Sequence, residues 1–227
     1  MVILGIRRLS YSTGYTLFAI YLIRVIGTSP FDLVLPGVAY ELTIFLFEIP
    51  TGIVADIYSR RLSVIIGYFL MGTGFIIAGS LQSLIIAVIG LIIMGFGSTF
   101  VSGALSAWMV DEIGQERASQ AFLRGSQIRM IASFLGIILS MILGSINLQL
   151  AIMGAGVPMI ILAIVLIFIM PETGFQPVPA SERESWRDLF KTFGEGLKSI
   201  RTSQTMLWIL VVTLIFGVNC ILPRFSP

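Results

Sequence analysis

The sequence predicts an all-α integral membrane protein: a six-helix transmembrane bundle, a cytoplasmic amphipathic linker and a seventh span. Three observations carry this. Of 227 residues, 56% are hydrophobic and only 11% charged, whereas a soluble domain holds about 25% charged residues to cover its surface. The charges are also clustered, because residues 62–110, 130–171 and 202–223 contain no Asp, Glu, Lys or Arg. A bilayer span takes roughly 20 apolar residues, so the first two intervals each hold two spans and the third holds one. Finally, these runs are apolar on every side rather than at alternate positions, which favours helices over barrel strands.

Hydropathy places the spans at about 10–28, 31–51, 62–81, 84–107, 124–145, 148–170 and 204–222. Residues 1–170 thus form the six-helix unit, 171–203 the linker, and 204–227 a seventh span that opens a second half. The turns at residues 27–30, 82–83 and 145–147 are short and uncharged. The other connections hold the charge, and of 14 Lys and Arg residues only Arg24 and Arg224 fall toward the opposite side. Basic loops stay cytoplasmic, so the N-terminus is expected inside, in a multi-pass protein of the plasma membrane. In the linker, Trp186, Leu189, Phe190, Phe193, Leu197 and Ile200 recur at helical spacing among Arg187, Asp188, Lys191 and Lys198. Such a helix is expected to lie among the lipid headgroups.

The chain has no histidine and one cysteine, Cys220. That removes the commonest general base and any thiolate cluster, so no enzyme activity, cofactor or bound metal is expected. The net charge of +2 is spread around membrane segments and gives no reason to expect a nucleic-acid partner.

The stretch FEIPTGIVADIYSRR interrupts the apolar pattern between spans two and three. Gly52 is expected to let helix ends approach, and Pro50 to loosen the end of span two so that the chain turns. Asp56 is expected at the N-terminus of the third helix, facing its positive dipole end and one turn before Arg60. Arg60 and Arg61 are expected to reach Asp111 and Glu112 at the end of span four.

Gly52, Asp56, Arg60 and Arg61, in this loop between these spans, resemble the signature of the major facilitator superfamily. FLFEIPTGIVAD and SGALSAWMVDEIG look like the ends of the second and fourth spans in its efflux-type members. The sequence departs from the signature at Ile57, where a basic residue is usual, and at Ser59, where a glycine is. The resemblance implies a twelve-helix transporter of which this chain supplies the first half and one further helix. It also implies a latch at a cytoplasmic gate, and transport by alternating access of an amphipathic small molecule. The second wall would come from a missing second half or a second copy. The arginine often found in the fourth span of proton-coupled members is replaced by Leu91, and the Gly-Pro element of antiporters by Gly136-Ile137.

Within the spans, Glu41 lies near the middle of span two, where an ionisable group costs about 2.5–3.5 kcal/mol on insertion scales. It is a candidate proton carrier or cationic-substrate contact, or else the structural partner of Arg24 in span one or of a Ser/Thr hydroxyl. Glu48 is expected in the gate network, Arg129 snorkelling to the headgroups, Asp32 starting a helix, and Trp108 anchoring at the interface. Gly90, Gly95, Gly97, Ser98, Ser102, Gly103 and Ser106 in span four, with Gly136, Ser140 and Gly144 in span five, suit close helix packing. The competing class is a non-transporting membrane protein, either truncated or a half-size module that scaffolds a partner.

Overall fold

The computed structural model describes residues 2–29 and 31–175. Most of the predicted linker and the whole seventh span lie outside the described residues. The described part is all-helical: α1 Val2–Tyr21 running on into a π-helical turn Leu22–Ile26, α2 Val34–Ile57, α3 Arg60–Ser80, α4 Leu84–Ile113, α5 Gln115–Ile146 and α6 Leu148–Ile169. All six are long and apolar enough to cross a membrane. The chain is therefore a multi-pass membrane protein.

Local chemistry sets the helix ends. Ser59 accepts from the Leu62 N–H to cap α3, and Asn147 caps α6 by accepting from the Leu150 N–H at 3.0 Å. Gly27 closes the first span with a left-handed φ of 75°, a conformation that glycine adopts without steric cost.

Four helices overrun the hydropathy limits. α1 begins at Val2 rather than near residue 10, α2 runs to Ile57, α4 to Ile113, and α5 starts at Gln115. Hydropathy marks where the bilayer ends, whereas the backbone ladder continues through charged residues that are good helix formers. Pro50 does not end span two but sits inside α2. The adjacent Thr51 hydroxyl bonds back to the carbonyls of Phe47 (2.8 Å) and Glu48 (3.2 Å), and the helix continues.

The main helix contacts give the order α2–α4–α3–α6–α1–α5. Exchanging the first three helices for the last three maps this order onto itself. The bundle is thus a pair of three-helix repeats packed through α3 and α6, the internal symmetry found in many transporter folds. The interior interfaces are built from small residues. A Cβ at Gly74 would meet the Gly90 carbonyl of α4 at 2.6 Å, and one at Gly72 the Gly156 carbonyl of α6 at 2.7 Å. Gly136 of α5 packs in the same way on the Leu9 carbonyl of α1 (2.7 Å). The polar links Ser12 Oγ to the Ser133 carbonyl (2.9 Å) and Thr13 Oγ1 to the Gly136 carbonyl (3.2 Å) reinforce the α1–α5 contact. Of the small residues in span four, Gly103 meets nothing within 4 Å and takes no part in packing.

Candidate functional site

The charged end of the bundle is tied together by Arg60, the first residue of α3. Its guanidinium donates to Asp56 Oδ1 from Nη2 (2.9 Å) and Nε (3.2 Å), and from Nη1 to Asp111 Oδ2. One forked cation therefore joins the last turns of α2 and α4. Both carboxylates sit at helix C-termini, where the dipole disfavours negative charge, so their pairing with Arg60 offsets an intrinsic penalty. Asp56 is thus not at the N-terminus of α3, as its spacing suggested.

Glu172, just beyond α6, occupies that position instead. It accepts from the Arg61 backbone N–H (3.0 Å) and the Ser59 hydroxyl (2.8 Å). Arg61 turns its side chain to the Ile167 carbonyl of α6. Glu112 accepts from the Thr173 N–H (2.6 Å), the Thr173 hydroxyl (2.7 Å) and the Gly174 N–H (2.9 Å). Trp108 donates its indole N–H to the Pro171 carbonyl at 2.7 Å. Residues 171–174 therefore form a strap across the ends of α3 and α4, and the Arg60 guanidinium lies 5.8 Å from the Phe175 ring. Glu172 and this strap were missed by sequence reasoning, since they act through contacts 61 to 113 residues apart.

Gly52 does not sit in a tight contact, because nothing lies within 4 Å of where its Cβ would be. Glu48 stands apart from Arg60, accepting instead from Ser102 Oγ of α4 at 3.1 Å. Glu41 and Arg24 are both exposed, and among the described residues no ion pair joins them. Glu41 acts electrostatically on Tyr11 of α1, as do Tyr40 and Tyr15 more strongly. Asp32 bonds the Ser29 hydroxyl at 2.7 Å in the turn before α2.

A cavity of about 330 Å³ is lined by Leu4, Arg7, Arg8 and Tyr11 of α1, Tyr40 of α2 and Arg129 of α5. Arg129, expected to snorkel to the headgroups, is half-buried and lines this cavity with α1. The early start of α1 carries Arg7 and Arg8 into the helix and opposite α5. A larger groove of about 850 Å³ between α1, α5 and α6 has only aliphatic and glycine walls and offers nothing polar to recognise a solute. Among the described residues no group of three or more His, Cys, Asp or Glu side chains could hold a metal ion.

Fold and site together define a polytopic helical membrane protein with a three-plus-three repeat, one charge-clamped end and a polar cavity in its wall. The chain belongs to the Major Facilitator Superfamily, a family of transporters, whose family model matches residues 1–227. It is 23% identical over 181 residues to the uncharacterized MFS-type transporter YxaM of Bacillus subtilis (strain 168), covering 78% of this chain and 44% of that protein. It also superimposes on a crystal structure of the peptide transporter POT, solved as a point mutant in complex with sulfate, with a TM-score of 0.60 at 17% identity. That match covers 94% of this chain and 44% of the other, and shows the shared fold. The chain thus spans less than half the length of the relatives it matches.

Proposed function

We propose that this chain is one lobe of a secondary transporter in the plasma membrane, with its N-terminus cytoplasmic. The transporter exports an amphipathic small molecule by alternating access. The observation that carries the reading is the bridge from Asp56 through Arg60 to Asp111, backed by the strap at Glu172 and Glu112. A network of this kind holds helix ends together in one conformation and must break in the other, which is what a gate needs. Family membership supplies the transport class, and basic-residue bias supplies the orientation.

The substrate cavity lies between lobes in this type of fold. The partner wall is a second six-helix lobe or a second copy of this chain. Two faces support this arrangement. Helices α2 and α5, at the two ends of the packing order, are each only 17% buried, and Gly52 of α2 leaves open space for an approaching helix. Glu41, exposed on α2 beside Tyr11, is the candidate proton carrier. The non-transporting scaffold is the rival reading.

The test is transport in the intact protein bearing both lobes. Glu41→Gln should abolish gradient-driven movement of substrate while leaving membrane insertion intact. Unchanged flux of every transported compound would reduce Glu41 to a structural group. No transport by the unaltered two-lobed protein for any of a broad panel would favour the scaffold.

A further inference from the structure

We infer that the cavity formed by Arg7, Arg8, Arg129, Tyr11 and Tyr40 binds an organic anion. The ligand would carry a carboxylate, sulfonate or phosphate group on an aromatic or aliphatic body. This rests on the transporter reading above and narrows its substrate from amphipathic molecules in general to amphipathic anions.

The argument starts from charge. Three guanidinium groups from two helices line one small cavity, and none of them forms an ion pair among the described residues. Counting ~1.5 Å of rise per residue, Arg7 and Arg8 lie about 8–9 Å along α1 from its start, within its first two turns. Cations gathered on one wall repel one another unless an anion or water meets them. The Asp56–Arg60–Asp111 bridge shows the other solution, in which an arginine in this bundle is matched by acids. The cavity arginines have no such match.

A second observation is independent of the arginine count. Tyr68 of α3 is fully buried, and among the described residues its phenolic O–H finds no acceptor, since the neighbouring Arg7 can only donate to it. It lies next to Arg7 and interacts with it electrostatically. A buried donor left without an acceptor is unfavourable, and an anion seated on Arg7 would supply one.

The aromatic side chains fit the rest of such a ligand. Tyr11 stacks on Tyr15 with centroids 5.2 Å apart and meets Phe75 edge-on at 6.4 Å, giving a fixed flat surface beside the charges. Guanidinium forks suit planar carboxylates and phosphates, which they hold through paired hydrogen bonds. Glu41 is the acid acting on Tyr11. The other acid of α2, Glu48, is held by Ser102 of α4. Three guanidinium groups and no carboxylate line the cavity, so a cationic ligand would be repelled.

The test is binding to the purified 227-residue chain in phosphatidylcholine nanodiscs. The probes are benzoate and phenylphosphate, with benzyltrimethylammonium and benzyl alcohol as matched cation and neutral compound. Calorimetry should show the anions binding and the other two failing to bind. Arg7→Gln and Arg129→Gln should each weaken anion binding on the order of 10–100-fold, as expected for lost charge-assisted hydrogen bonds. Arginine modification by phenylglyoxal, mapped by mass spectrometry on the unaltered chain, avoids any folding defect of the variants. Benzoate should protect Arg7, Arg8 and Arg129 while leaving Arg117 and Arg124 reactive.

Equal binding of the cation or neutral compound, or no protection of the three arginines, would overturn the inference. A second arm adds phosphatidylglycerol to the nanodiscs. Protection by that lipid with no further effect of benzoate would assign the cavity to a headgroup and also overturn it. Transport of neutral or cationic compounds without anion binding would leave the transporter reading standing. Anion binding without transport in the two-lobed protein would do the reverse.

Discussion

Arg60 is the residue on which the charged end turns, and its replacement separates two roles. Arg60→Ala leaves two carboxylates at helix C-termini with no cation between them. The expected loss is about 1–3 kcal/mol of stability, read as a lower unfolding temperature in detergent. Arg60→Lys should recover only part of that, because a single ammonium cannot fork between Asp56 and Asp111. Full recovery by lysine would mean that charge alone matters, and not the bridge. The strap can be checked by a double-mutant cycle on Ser59→Ala and Glu172→Ala, with an expected coupling of about 0.5–3 kcal/mol because the two side chains are in direct contact. A coupling of zero would remove Glu172 from the end of α3. The Asp56 to Arg60 pairing was legible in the sequence because it is local, one helical turn. Glu172 was not legible, since its partners lie 113 and 111 residues away and no spacing rule reaches that far.

At the scale of helices, the first six spans and most of their centres could be read from hydropathy, because the bilayer imposes a length. Helix ends could not, because charged residues leave the bilayer without leaving the helix. Packing makes a sharp distinction among glycines. Gly72→Ala should destabilise the α3–α6 contact by about 1–3 kcal/mol, since the new methyl meets backbone rather than a flexible side chain. Gly103→Ala faces open space and should be neutral or stabilising by up to ~1 kcal/mol. Thermal unfolding of the two variants side by side checks this, and equal effects would contradict the packing. Orientation has its own check in a Cys220→Ser background. Ser83→Cys, in the turn before α4, should react with an impermeant thiol reagent on intact cells, and Ser119→Cys only after the membrane is broken. The opposite pattern would invert the topology.

Over the whole molecule, two helices carry large apolar faces that the bundle does not cover. Phe45 and Leu46 on α2, and Met130 and Phe134 on α5, are more than half exposed, yet the same two helices carry the exposed Glu41 and the cavity-lining Arg129. Lipid suits the apolar groups and not the charged ones, so a second lobe is expected to close over the charged groups. The most direct measurement is gradient-driven uptake into proteoliposomes of an amphipathic panel that includes benzoate and phenylphosphate. The 227-residue chain alone would be compared with the two-lobed protein that contains it. Saturable uptake by the two-lobed protein, lost with Glu41→Gln and absent from the 227-residue chain, is the expected result. Saturable, gradient-driven uptake by the 227-residue chain alone would contradict the one-lobe account and make a second copy the missing wall. The absence of uptake from both would contradict the transporter itself.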